Sequence, residues 1–196
     1  LEKIIIQFTQ QHNFEQFAVL GFSMGGKCAL HLAQTMPQKI TALWLLASDG
    51  IKTNKIYNVA VYPSWGRSLF KTTIQHPAWL FAVVNIANKL RLLSPWLKKF
   101  TYNHMETKEK RERLYHTWIS MAAFNPDINL VKKQINQHQI PVLLFFGKRD
   151  EVIPVAVGEF FAEGLSSCLL TRLERGHYFI DEKINPSLTA ALQWLK

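Results

Sequence analysis

A chain of 196 residues is long enough for one domain with a sizeable core, or for a domain that carries a modest insertion. Its 48% hydrophobic and 19% charged content excludes disorder, and its longest apolar-rich stretch, Ala78 to Ile86, is far too short to span a bilayer. The net charge of +9 is concentrated: residues 51–138 hold 14 Lys/Arg against four acids, while the flanks hold nine against ten.

Leu1 to about His12 carries Ile4, Ile5 and Phe8 at a spacing that fits one helix face. The apolar run Phe17-Ala18-Val19-Leu20 predicts a short buried strand over 17–22, and a helix follows from Met24 to about Thr35, stopped by Pro37. Residues 41–47 form a second continuous apolar run, as expected for a strand covered on both faces, and Ser48-Asp49-Gly50 ends it. Residues 51–138 read as helices: Trp79, Val83, Ile86, Leu90 and Leu93 make one stripe, and a longer helix from Glu106 to about Phe124 carries Glu106 and Lys110 four apart. Strand and helix then alternate again, with strands over 140–146 and 168–173 and helices from Pro154 and from Pro186. The pattern is α-β-α-β, a helical insertion, then β-α-β-α. It predicts an α/β parallel sheet with flanking helices, residues 1–50 and 139–196, interrupted by a helical cap over 51–138.

Three stretches carry chemistry. Gly21-Phe22-Ser23-Met24-Gly25-Gly26 stands between a strand and a helix, as a G-x-S-x-G nucleophile elbow does. So sharp a turn presses the positions two away from the serine against backbone, so Gly21 and Gly25 are expected to need glycine, with Gly26 admitting close helix packing. The helix N-terminus and the Met24 N–H would then face a developing oxyanion. A serine hydroxyl needs a base to take its proton and a third group to orient that base. Asp150 and His177 answer this, each in the turn after a later strand, where the functional loops of parallel sheets gather. Asp49, at the end of the preceding strand, is the alternative acid. Two cysteines, Cys28 and Cys168, make no framework and are expected to be buried thiols. No His/Asp/Glu/Cys cluster has metal spacing and no Gly-rich phosphate loop is present, so neither metal nor cofactor is expected.

On Gly21 to Gly26, the Gly-x-x-Asp-x-x-x-Pro string from Gly147 to Pro154, and Gly176-His177, the chain resembles the α/β-hydrolase fold family of the capped Ser-His-Asp kind. Esterases, lipases and carbon–carbon bond hydrolases belong to that kind, and the order Ser23, Asp150, His177 is the family's. The resemblance implies a serine hydrolase cleaving a carboxylic ester of a hydrophobic small molecule, with a cap that lines the pocket. Its alternatives are a carbon–carbon bond hydrolase using the same residues, and a binding protein or receptor that keeps the fold. The family draws its second oxyanion donor from a loop upstream of the elbow, where this sequence holds only about twenty residues. The resemblance therefore predicts a chain lacking the family's N-terminal strands, weakly active at best, with an exposed edge at 17–22 that invites self-association. The basic, aromatic insertion, with Trp65, Trp79, Trp96 and Trp118, suggests contact with a membrane surface. Its scattered charges show no nucleic-acid motif. No leader pattern follows Leu1, and a cytoplasmic location is the expectation.

Overall fold

The computed structural model describes residues 1–52, 55–93 and 95–195, with backbone only for Pro95, Trp96 and Lys99. The side chain of Trp96 thus lies outside the described residues. Two compact units emerge, one of residues Leu1–Lys52 with Phe124–Lys196 and one of Thr53–Ala123.

The first unit is built on four parallel strands, β1 (Phe17–Phe22), β2 (Ile40–Leu46), β3 (Val142–Gly147) and β4 (Cys168–Leu173), in the order β1-β2-β3-β4. β2 and β3 lie inside the sheet and are buried on both faces, which is why their sequences are unbroken apolar runs. Leu43, Leu45, Leu144 and Phe146 pack on one face and Trp44, Leu46, Leu143 and Phe145 on the other. α1 (Glu2–Gln11) precedes the sheet, α2 (Gly25–Thr35) links β1 to β2, and α9 (Val155–Ala162) links β3 to β4. α2 turns Ala29, Leu30, Leu32 and Ala33 inward as its periodicity requires. α10 (Asn185–Trp194) follows β4 and contributes Leu188 and Ala191 to the second face.

The run at 17–22, which by its apolar residues reads as a short buried strand and which the resemblance leaves as an exposed edge, is an edge strand: β1 pairs with β2 on one side, and its alternate residue Leu20 is 57% exposed. One expectation changes here. The helical insertion ends near residue 123 rather than 138. α8 (Ile128–Gln137) belongs to the sheet-bearing unit because Val131 and Ile135, one turn apart, are sealed into its core beside Leu30 and Ile140. Asp127 caps α8 by accepting from the Asn129 and Leu130 N–H groups at 3.0 and 3.2 Å.

The second unit holds α3 (Lys55–Val61), α4 (Ser64–Gln75), α5 (Ala78–Lys89), α6 (Pro95–Met105) and α7 (Lys108–Ser120). A small aromatic core joins them: Tyr57 donates to the Trp118 carbonyl at 3.0 Å, and the Phe70 and Trp118 rings lie 5.4 Å apart. The Arg111 guanidinium donates to the carbonyls of Ile74 and Met105, tying α7 to the ends of α4 and α6. The expected Glu106–Lys110 pair forms at 2.7 Å. Along the α5 stripe, Trp79, Val83, Ile86 and Leu90 remain substantially exposed.

Candidate active site

Ser23 begins the turn between β1 and α2 with φ of +50°, a left-handed conformation that a side-chain-bearing residue adopts only under external constraint. The constraint is visible. The Ser23 N–H donates to the Leu46 carbonyl at 2.9 Å, and the Ser23 carbonyl accepts from the Gly26 N–H at 2.9 Å and the Asp49 N–H at 2.8 Å. Three backbone bonds from three segments thus hold the serine at the tip of an elbow.

The glycines around it divide differently from expectation. A Cβ at Gly21 would stand 2.7 Å from the Gly25 carbonyl oxygen and 2.8 Å from the Gly26 Cα, and one at Gly26 would fall 1.9 Å from the Ser48 Oγ. At Gly25 a Cβ would meet nothing within 4 Å. Gly21 and Gly26 are therefore the steric requirements, because strand and helix backbones cross over them, and Gly25 faces outward.

Past β3 and β4, the two loops that matter are laced together. The Lys148 N–H donates to the Leu173 carbonyl at 2.8 Å and the Arg149 N–H to the Arg175 carbonyl at 3.0 Å, which extends the β3–β4 pairing beyond the strands. Gly147 makes room, since a Cβ there would lie 2.4 Å from the Arg175 carbonyl oxygen. The lacing brings the Asp150 turn against the His177 turn. The Asp150 side chain is wholly buried, and its Oδ1 accepts from the Val152 and Ile153 N–H groups, both at 2.8 Å. Its Oδ2 faces His177 Nδ1 at 2.8 Å, and His177 Nε2 faces Ser23 Oγ at 3.0 Å.

The carboxylate dictates the tautomer. Nδ1 must carry the proton that it donates to Asp150, leaving Nε2 as the acceptor for the Ser23 hydroxyl. Such a relay can draw a proton from Ser23 and keep the resulting imidazolium stable and oriented.

The alternative acid, Asp49, points elsewhere. Its Oδ1 accepts from the Gly50 N–H at 2.8 Å, and its N–H makes the bond to Ser23 described above. Burial pushes the Lys27 ammonium, in the first turn of α2, below the usual lysine range, and the Asp49 charge opposes that push. The Asp49 loop thus braces the elbow from below. Met24, at the N-cap of α2, stands next to Ser23 with its backbone at the helix's positive end. Of the two cysteines, each half-buried, the Cys168 thiol is pushed up to about 11 by burial.

Phe22, an aromatic neighbour of the histidine, and Phe179, packed against Phe22, are not singled out by the sequence pattern. The Phe22 ring lies 5.4 Å from the His177 ring and 5.9 Å, edge-on, from that of the fully buried Phe179. Both belong to the motifs themselves, one between Gly21 and Ser23 and one two residues past His177. Their shared signal is a bulky aromatic within two residues of a turn that carries a site residue.

Residues 1–184 match the family described as the alpha/beta hydrolase fold. Similar solved structures include a hydrolase from Pseudomonas aeruginosa, 19% identical with a TM-score of 0.60, in which the match covers 98% of this chain and 69% of the other. An enol-lactonase from Burkholderia xenovorans is 14% identical with a TM-score of 0.56, covering 97% of this chain and 70% of that one. A 2-hydroxy-6-oxo-6-phenylhexa-2,4-dienoate hydrolase from a Rhodococcus strain is 18% identical with a TM-score of 0.56, covering 97% and 67%. At these identities the likeness speaks to the fold. No curated protein matches the sequence.

Proposed function

The chain belongs to the alpha/beta hydrolase family, and we propose that it is a serine hydrolase which cleaves a carboxylic ester through an acyl-enzyme on Ser23. The observation that carries this reading is the unbroken relay from Ser23 Oγ through both nitrogens of His177 to the buried Asp150 carboxylate. His177 takes the Ser23 proton as the hydroxyl oxygen attacks the ester carbonyl, and returns it to the departing alkoxide. Asp150 does not accept that proton. It fixes the imidazole and stabilises the imidazolium, as its two backbone N–H bonds equip it to do. The Met24 N–H donates to the oxyanion of the tetrahedral intermediate, a contribution worth about 10²–10³ in turnover per donor. Water activated by His177 then hydrolyses the acyl-enzyme by the same steps in reverse order.

An ester substrate is favoured because attack by Ser23 needs no further group on the substrate. The likeness to an enol-lactonase agrees with it, a lactone being a cyclic ester. The dienoate hydrolase among the similar structures supports a second reading, cleavage of a carbon–carbon bond beside a carbonyl by the same three residues. Labelling with a fluorophosphonate, with Ser23→Ala as control, tests both. Labelling that disappears in the variant supports the serine mechanism, and an unlabelled chain that is folded by circular dichroism removes it. A p-nitrophenyl ester series then separates ester from carbon–carbon chemistry.

A further inference from the structure

The helical unit contains a cavity of about 560 Å³, within the range of small-molecule sites and lined wholly by residues of that unit. Its floor is Phe70, Val84, Met105 and Trp118, each buried. Ile56, Val59, Leu69 and Val83 also line it while staying about half exposed, so it opens to solvent along α3, α4 and α5. Two threonines in the lining already use their hydroxyl hydrogens within their own helices: Thr73 donates to the Leu69 carbonyl at 2.8 Å and Thr101 to the Leu97 carbonyl at 2.9 Å. A ligand lying in this cavity is therefore met by hydrocarbon and aromatic surface along its length.

The charge of the unit is one-sided. Residues 53–123 carry eleven Lys/Arg against three acids, a net +8. Two of the acids are engaged within the unit, Glu106 with Lys110 at 2.7 Å and Glu112 with Lys108 at 3.8 Å. The charged side chain in the lining is Lys55, exposed at the first residue of α3. An apolar slot with one lysine in its lining, in a unit of net positive charge, complements a molecule that has one hydrocarbon chain and one negative end.

We propose that the helical unit binds a single-chain anionic amphiphile, a fatty carboxylate or its chemical equivalent, with the chain between α4, α5 and α6 and the carboxylate at Lys55. Neither Ser23 nor His177 lines this cavity, and its occupancy does not depend on their chemistry. Burial of the chain sets affinity and Lys55 sets the sign of charge accepted.

The test is an equilibrium titration of the full chain, followed by the fluorescence of Trp79 and Trp118 in the lining. The probes are octanoate, decanoate and laurate below their critical micelle concentrations. Saturable binding is expected, tightening by up to about fourfold per added methylene. Laurate should bind at least tenfold more tightly than dodecyltrimethylammonium. Lys55→Glu should remove that preference while leaving binding of dodecyl maltoside unchanged. Val83→Arg, at a half-exposed position in the lining, should weaken every probe at least tenfold, with an unchanged circular dichroism spectrum as the check on folding. Ser23→Ala should bind laurate as the unaltered chain does, which keeps this result distinct from the proposed catalysis. Absence of saturable binding, an equal or reversed preference for the cationic head group, or association with phosphatidylglycerol vesicles without uptake of monomeric laurate would each overturn the proposal.

Discussion

In the sheet-bearing unit Leu43, Leu45, Leu144 and Phe146 are sealed from solvent, whereas in the helical unit Ile86, Leu90 and Leu92 stand 61%, 61% and 77% exposed. Charge follows the same line. The helical unit holds eleven of the 23 basic residues but three of the 14 acids, so the rest of the chain is nearly neutral. The difference reflects two uses of apolar surface. In the sheet it is spent internally, on packing dense enough to hold loop backbones in place, and the Ser23, Asp150 and His177 turns all hang from strands fixed in that way. In the helical unit much of it faces outward or lines a cavity, where it is available to a ligand.

The largest test of this contrast is Asp150→Asn. The amide keeps the shape but donates where the carboxylate accepted, which selects the wrong imidazole tautomer. Turnover of a p-nitrophenyl ester should fall by about 10⁴-fold with the melting temperature little changed. A loss below tenfold would mean that another group orients His177.

Core truncation comes next. Leu144→Ala, fully buried between β2 and β4, should cost about 2–5 kcal/mol in urea unfolding. Leu92→Ala in the helical unit should stay within about 0.5 kcal/mol of the unaltered chain. Equal costs at the two positions would erase the distinction between the units.

Within the sheet-bearing unit the elbow glycines sharpen the same point. Gly26→Ala forces a methyl group into Ser48 and should destabilise by about 1–3 kcal/mol, with fluorophosphonate labelling of Ser23 lost alongside. Gly25→Ala, two residues past Ser23, should be neutral or stabilise by about 0.4–1 kcal/mol, because the added methyl meets open space. If both variants behave alike, the elbow's tightness does not come from backbone crossing.

The smallest effect is chemical. Desolvation favours the neutral thiol of Cys168, so the thiolate is scarce until the pH approaches about 11. Iodoacetamide at pH 8, followed by mass spectrometry, should modify Cys168 far more slowly than a free cysteine. Modification at the free rate would show that β4 opens readily at the sheet's edge.

Much of the architecture is legible in the order of residues. β2 and β3 announce themselves as unbroken apolar runs because a strand buried on both faces has no polar side to show. α2 and α8 show their inward faces through residues three and four apart. Ser23, Asp150 and His177 are recognisable because each lies in a turn directly after a strand, and turn composition is a local property. By contrast, α8 reads as part of the insertion because its pattern says that it has a buried face but not which surface covers that face. The stripe from Trp79 to Leu90 has the same ambiguity, and most of it proves to be open.

What the amino-acid order determined by itself is the alternation of strand and helix, the interruption after β2, and the three turns that hold a hydroxyl, a carboxylate and an imidazole. The tertiary structure decided which acid meets the histidine and which glycine has no room for a side chain. Asp150 faces His177 and Asp49 does not, because the β3 and β4 loops are laced through Gly147 while the β2 loop is tied under Ser23. Gly26 is pinned and Gly25 is free, because only one of them meets Ser48 at the end of β2. Both outcomes rest on contacts between segments distant in sequence, and local pattern carries no information about which of two similar side chains such a contact will select.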